Sequence, residues 1–456
     1  MAWFRVAVVN EETRPLVGVV VEAIRLTDRT ISQVQTTNLS GEVLFTGLTG
    51  PHFFRPRVRR TSGTVGNRTY TGQVKVQVIG FDTTCTDYLV DADGGGTHTT
   101  LAAAVADAIT AMAGVGGSRT IWVCGSLSEG GIDIGGMSSG ATIVITSPDP
   151  TRVRVTAPAA QDIFIQTTDG GQTGGLTFRD IGLNVTTAGR AVYAPTTNLE
   201  IRNLIFERCT FGSTNLYLCR QSGLNTVGNV GLRVSNCTGS LAGFYQTGLA
   251  ASSVSVDTLE VYDSRLTLTR WWNEAAAGNE PDFCRVVGGF YEVANGVSFG
   301  FDSEEQHFDG FVMYYTGAGA AFSTPAGSFG CEDLTFQDII FRISNVTAYF
   351  GEFGSDAVNN NDGLYVKNIY GFPISSLAAI TATFFISVDT DWLNVYVYNF
   401  FGKGWPNQYS GPAVTIPVDT CFGDDVNVVG YLRVGTCTAP ANVTDGALTT
   451  ARLFVG

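Results

Sequence analysis

The chain has 456 residues and a formal net charge of −14, with 41 acidic against 27 Lys and Arg residues. A nucleic-acid groove needs a basic footprint, so that class is excluded, and no run of about 18 apolar residues offers a membrane span. Gly accounts for 55 residues and charged residues for 15%, against roughly 7% and 25% in average usage, a balance suited to closely stacked turns.

Phe4, Val6 and Val8 alternate at the start, Glu11-Glu-Thr-Arg-Pro15-Leu reads as a polar turn, and Gly18-Val-Val-Val21-Glu-Ala-Ile24 reads as a second strand. Thr37 to Leu48 is a turn followed by a strand, and Val74, Val76 and Val78 alternate with Gln73, Lys75 and Gln77 as in a half-exposed strand. Met1-Ala-Trp-Phe-Arg-Val runs straight into this pattern, without the ordered regions of a secretory leader. After Asp87-Tyr-Leu-Val-Asp91-Ala-Asp93 come three glycines, then Leu101, Val105 and Ile109 at helical spacing with Ala104, Ala108 and Met112 beside them. Thr99 or Thr100 suits the helix start. The glycines lack a following Lys-Ser/Thr, so they do not make a phosphate loop.

From there a five-residue pattern recurs: Leu, any residue, a β-branched or aromatic residue, any residue, then Asp or Asn. Its copies are Leu176-Thr-Phe178-Arg-Asp180, Leu199-Glu-Ile201-Arg-Asn203, Leu232-Arg-Val234-Ser-Asn236, Leu259-Glu-Val261-Tyr-Asp263, Leu334-Thr-Phe336-Gln-Asp338 and Leu364-Tyr-Val366-Lys-Asn368. Residues two apart share one face of a strand, and a terminal Asp or Asn suits a turn because it tolerates left-handed backbone. The copies start 23, 33, 27, 75 and 30 residues apart, and 75 is three turns of about 25. Spacing of that kind means one unit per repeat, stacked into a solenoid. The expected fold class is all-β: an N-terminal β-sandwich over residues 1–82, a linker and capping helix over 83–117, a long right-handed parallel β-helix over 118–435, and a C-terminal cap or oligomerisation tail over 436–456.

Nine scattered cysteines, none in a Cys-x-x-Cys pair, read as small buried hydrophobes rather than a disulfide framework or zinc site. No cofactor and no metal are expected. The densest acidic stretch is Asp302-Ser-Glu304-Glu305-Gln-His307-Phe-Asp309, inside the interval without a clean repeat. Asp302, Glu304, Glu305 and Asp309 are candidates for glycoside chemistry, which needs one protonated and one ionised carboxyl. The alternative is a solvated loop. Trp271, Trp272, Tyr291, Tyr314 and Tyr315 are candidate stacking surfaces for sugar rings, as is the Trp405–Tyr409 stretch. The alternative for the Trp pair is a subunit interface. Glu352, Asp356 and Asp362 with Asn359 to Asn361 read as a turn before a calcium site. Gly423-Asp424-Asp425 matches part of the polygalacturonase signature, but no histidine follows it.

Pro15-Leu-Val-Gly-Val-Val-Val and the Thr37–Leu48 turn and strand resemble the transthyretin-like (carboxypeptidase-regulatory-like) domain, usually an accessory module. The Gly-rich loop, helix and Thr120-Ile-Trp-Val-Cys124 strand resemble the opening of pectate-lyase-like β-helices, where the helix covers an open edge. The whole architecture resembles bacteriophage tail spikes and fibres. That resemblance implies a virion protein made in the host cytoplasm, a homotrimer, docking to other virion proteins through the N-terminal domain, and attachment to a host glycan. A polysaccharide depolymerase and a purely structural assembly protein are the alternatives.

Overall fold

The computed structural model describes residues 2–415, 436 and 437, apart from 10–14, 50–51, 58–59, 66–67, 82–87, 93–95, 139, 148–152, 168–170, 195–198, 202, 222–230, 247–257, 274–282, 300–304, 325–331, 355–361, 375–376, 378–379, 389–392, 404, 406 and 411–413. It is all-β, 62% strand and 4% helix, and residues 117–373 form a parallel β-solenoid. Contacts divide it into two compact units, residues 1–187 with 207–210, and residues 188–206 with 211–456.

In the first unit, the strand Ala2–Val9 pairs antiparallel with Glu42–Leu48 and Lys75–Phe81, and Val20–Arg25 pairs antiparallel with Ile31–Thr36 and His52–Pro56. The alternation seen in the sequence faces Phe4, Val6 and Val8 into a buried cluster with Phe45 and Phe54. Glu22 is buried here, and Arg55 and Arg57 reach its carboxylate at 2.6 and 2.8 Å. Hydrogen bonds from Arg55 and then Arg57 hold its carboxyl below the usual range.

The helix Leu101–Met112 starts at Thr100, whose side chain accepts from the Ala103 amide at 3.2 Å. Its first-turn amides are also met by Glu129, which accepts from Leu101 at 2.9 Å and from Ala102 at 3.1 Å. A carboxylate at that end suits both the unpaired amides and the helix dipole. Leu101, Ala104, Val105, Ala108 and Met112 are the buried face. Among the described residues no helix is long and apolar enough to cross a membrane.

The solenoid strands stack in parallel register. Ile121 lies opposite Ile145, which lies opposite Phe178. In the second unit one inward column runs Leu232, Leu259, Cys284, Gln306, Leu334, Leu364, and the next runs Val234, Val261, Val286, Phe308, Phe336, Val366. All twelve are buried. In the later coils this interior is aromatic: Phe308 stacks on Phe336 at 5.3 Å, Phe322 meets Phe336 at 4.8 Å, and Phe385 meets Trp405 at 4.8 Å. Offset and tilted pairs at these separations are the favoured aromatic geometries.

The fifth residue of every repeat copy is left-handed. Asp180, Asn203, Asn236, Asp263, Asp338 and Asn368 have φ between 44° and 55°, a conformation that Asp and Asn tolerate because their side chains bond locally. This turn does not interrupt the ladder. The Asn236 amide donates to the Tyr262 carbonyl at 2.9 Å, and the Asp263 amide to the Val287 carbonyl at 3.0 Å.

Two expectations are corrected. The described part of the acidic stretch, residues 305–309, does not break the repeat. Glu305–Asp309 is a regular solenoid strand, and the 75-residue interval holds the coils Cys284-Arg-Val286-Val-Gly288 and Gln306-His-Phe308-Asp-Gly310. They escape the pattern because Cys and Gln replace Leu, and because Gly288 and Gly310 take the left-handed corner at φ 69° and 68°. The Leu199 copy also misplaces its coil: Leu204 and Phe206 are the buried pair, with Arg208 at φ 52° as the corner, while the Leu199 and Ile201 side chains lie outside the described residues. Arg208 is held by a bidentate pair to Asp180, 2.9 Å at each nitrogen. The Val426–Val428 strand and all but Thr436 and Cys437 of the C-terminal segment also lie outside the described residues.

Two outcomes test this account. Glu22 has a lowered folded pKa, so its contribution is full above the unfolded carboxylate value of about 4.3 and is lost as pH falls below it. Glu22→Gln should lower stability by about 1–3 kcal/mol near neutral pH and flatten the acid limb of a stability–pH curve from denaturant melts. At the corners, a Cβ on Gly288 would meet Asp263 Oδ1 at 2.2 Å, whereas Gly310 has no atom closer than 3.9 Å. Gly310→Ala should therefore cost about 1–2 kcal/mol for backbone alone, and Gly288→Ala distinctly more in the same melts.

Candidate functional site

Alternation sends every second residue of the solenoid strands outward, so register stacks outward side chains into columns whose successive members are about 4.8 Å apart. One column runs Arg233, Glu260, Arg285, His307, Thr335, Tyr365, and its neighbour Ser235, Tyr262, Val287, Asp309, Gln337, Lys367. At the earlier coils the charges satisfy one another: Arg233 Nε lies 3.9 Å from Glu260 Oε2, and the Tyr262 hydroxyl donates to Glu260 Oε1 at 2.9 Å. Burial, reinforced by Glu260, pushes the Tyr262 phenol up.

Further along, the surface opens into a groove of about 310 Å³ lined by Phe283, Arg285, Glu305, Gln306, His307, Asp333 and Thr335. These residues come from three successive strands, a span of about 10 Å. Phe283 stands opposite Glu305, and Arg285 opposite His307. Asp333 precedes Leu334, the partner of Gln306, and so sits one coil on from Glu305. Its backbone is left-handed at φ 52°. Gly363 makes room for its carboxylate, since a Cβ there would meet Asp333 Oδ1 at 2.4 Å. His307 Nε2 lies 3.6 Å from Asp309 Oδ2. The groove thus presents a partly exposed aromatic face, one guanidinium, one imidazole, one hydroxyl and two solvent-facing carboxylates.

The expected site residues fare unequally. Glu305 lines the groove, and Asp309 lies beside it against His307. Asp302 and Glu304 lie outside the described residues. The aromatic platform is corrected: Trp271, Trp272, Tyr291 and Tyr315 are 0, 3, 0 and 1% exposed. Trp271 packs within the solenoid on Tyr291 at 5.1 Å and Phe308 at 5.8 Å, and Trp272 stacks on Tyr245 at 5.8 Å. A ring enclosed on both faces has none to offer a sugar. Trp405 is likewise interior, donating from Nε1 to the Ala348 carbonyl at 3.1 Å. Of the five named aromatics only Tyr314 points outward, between Glu292 and Arg342. Sequence reasoning passed over Phe283, Arg285, Asp333 and Thr335. Phe283 and Arg285 alternate with the buried Cys284 and Val286, which was the available signal.

Elsewhere the described residues offer little chemistry. No group of His, Cys, Asp and Glu among them could hold a metal. Glu352 is exposed and accepts from the Tyr349 hydroxyl, whereas Asp356, Asn359 to Asn361 and Gly423 to Asp425 lie outside the described residues. Cys124, Cys209, Cys219, Cys237 and Cys284 are not in disulfides. Burial pushes Cys124 and Cys219 up to about 12, so neither supplies a thiolate near neutral pH.

No protein-family model, curated protein or solved structure matches the chain. The groove must be read on its own geometry.

Because Trp271 is a core residue, Trp271→Ala should lower stability by about 3–5 kcal/mol and broaden or shift the thermal transition. A stable variant with a wild-type melt would contradict its interior placement.

Proposed function

We propose that the protein is a virion-surface protein, of the tail-spike, tail-fibre or decoration kind, that holds a host glycan in the lateral groove. The observation that carries this reading is the groove's mixture of groups. Phe283 offers a ring face to the apolar side of a sugar, Arg285 donates hydrogen bonds, and Glu305, Asp333, His307 and Thr335 meet hydroxyls. Recognition sites of this type pair an apolar surface with a few converging polar groups. The residues sit on strands of a stacked sheet, which hold them more rigidly than a loop would.

Two carboxylates in one groove favour a second reading, a polysaccharide depolymerase. Glycoside hydrolysis needs one carboxyl sheltered enough to keep its proton. Glu305 and Asp333 both face water, which supports binding over cleavage. The antiparallel strands of residues 2–81 are read as a transthyretin-like sandwich that docks to the particle, and the helix Leu101–Met112 as a cap on the first coil. A homotrimer is supported by the outward column Phe290, Val312, Ile340 and Tyr370, where Ile340 is 41% exposed. An apolar surface stripe of this kind is apt for cover by a second copy.

Glycan-array binding followed by adsorption to the responsive host cells tests the proposal. Phe283→Ala and Arg285→Ala should each weaken binding about tenfold, the loss of roughly 1.4 kcal/mol. Glu305→Gln should have a smaller effect and release no reducing ends. Unchanged binding in Phe283→Ala and Arg285→Ala removes the groove from the reading. Reducing ends released by the wild type and lost in Glu305→Gln install the depolymerase instead. Light scattering of the same preparation should give three times the monomer mass.

A further inference from the structure

The lining of the groove divides into two columns of different character. The first runs Phe283, Glu305, Asp333, one residue per coil, and the second runs Arg285, His307, Thr335. Glu305 and Asp333 therefore stand on neighbouring strands, about 4.8 Å apart along the stack, where like charges repel. Among the described residues, the ion pairs of the solenoid are Arg179 and Arg208 with Glu207, Arg208 with Asp180, Arg233 with Glu260, and His307 with Asp309. None of these includes Glu305 or Asp333.

The cations of the neighbourhood act elsewhere. Arg285 is the one guanidinium in the lining. Burial raises the Tyr262 phenol and the Arg285 charge opposes that rise, so the guanidinium acts toward the coil before the groove, whereas Asp333 lies two coils after it. Lys367 belongs to the column of Asp309 and Gln337, two coils beyond Asp309. The segments that lead into the three groove strands, 274–282, 300–304 and 325–332, contain Glu274, Glu280, Asp282, Asp302, Glu304 and Glu332, and no Lys or Arg. The sequence on this side of the groove adds negative charge and no positive charge.

We infer that the groove selects a glycan bearing free amino groups, with one ammonium seated among Phe283, Glu305 and Asp333. The inference rests on the glycan reading of the groove and names the substrate class. An ammonium is drawn to the face of an aromatic ring and makes charge-assisted hydrogen bonds to carboxylates. The first column supplies both kinds of partner within two coil steps, and a cation between Glu305 and Asp333 relieves their repulsion as a hydroxyl cannot. A uronate or sulfated glycan meets the reverse, with Glu305, Asp333 and the adjacent Asp309 set against one guanidinium. An N-acetylated amine carries no charge and brings an acyl group to the place of the ammonium. Arg285, His307 and Thr335 are left for the ring hydroxyls.

Calorimetric titration of the full chain with a glucosamine oligomer, an N-acetylglucosamine oligomer of equal length and oligogalacturonate tests this. The pH is held at about 6, where the amine is charged, since even an α-amino group keeps its proton below about 7.7. The glucosamine oligomer should bind about tenfold more tightly than its acetylated counterpart, and oligogalacturonate should bind most weakly. Glu305→Gln and Asp333→Asn should each reduce that preference about threefold, and the double variant should abolish it with an unchanged thermal melt. Asn suits the left-handed backbone at 333, where φ is 52°. Arg285→Ala should act in the opposite sense, weakening both oligomers while widening the preference for the amine. That opposite sign is the independent reading should the double variant fold poorly, and a preference narrowed by Arg285→Ala refutes the inference. Equal affinity for the two amino-sugar oligomers, or a preference that survives in the double variant, overturns the inference and leaves the groove reading standing. Oligolysine bound as tightly as the glucosamine oligomer overturns the ligand class in favour of a basic peptide. A chain that binds no sugar here or on the glycan array removes the groove reading, and the inference with it.

Discussion

The left-handed corner is the constraint on which the rest of the solenoid depends. A parallel ladder must turn at the end of each short strand without dropping its hydrogen bonds. Asn236 and Asp263 do this with a positive φ and an amide that still reaches the next coil. Few residues adopt that conformation without strain, which is why Asp, Asn or Gly recurs there. With the corner set, alternation follows automatically. Leu and Val or Phe go inward, and their neighbours are delivered to the surface one per coil. Most of the groove's lining consists of those delivered side chains.

Much of this architecture was legible because it rests on short-range patterns. The inward pairs Leu232 and Val234, Leu259 and Val261, Leu334 and Phe336, and Leu364 and Val366 all follow from spacing of two within a strand. So does the reading of Asp and Asn as turn residues. The coils around Cys284 and Gln306 were not legible, because a glycine can occupy a left-handed corner as readily as an aspartate and a buried Cys or Gln fits a position that Leu usually fills. The acidic stretch near Glu305 therefore looked like an interruption, although it is an ordinary strand.

The site was harder to read for a different reason. Trp271, Tyr291 and Tyr315 are large amphipathic rings, and their sequence gives no sign of which side of the wall they take. The interior of the later coils is wide enough to hold Phe308, Phe322, Phe336, Phe350 and Phe385 together with Trp271 and Trp405, so the rings were needed for volume. Residues that meet in the groove come from Phe283 to Thr335, more than fifty positions of chain, and only the register between coils brings them together. Fold was written locally, whereas the functional face was written across coils.

The contact from Glu129 to the first turn of the helix has a bearing on how the molecule is made. Its partners, Leu101 and Ala102, lie 28 and 27 residues earlier, close to the separation of successive coils. Nearly all solenoid pairings join segments at about this distance, so the assembly has little long-range closure to achieve. Structure can start at a helix and one coil, then advance as a zipper with each new strand laid on the last. At every stage the growing end is a bare row of amides and carbonyls. The vulnerable species during synthesis is thus the chain that has stopped short, and its hazard is a single open edge rather than an exposed core.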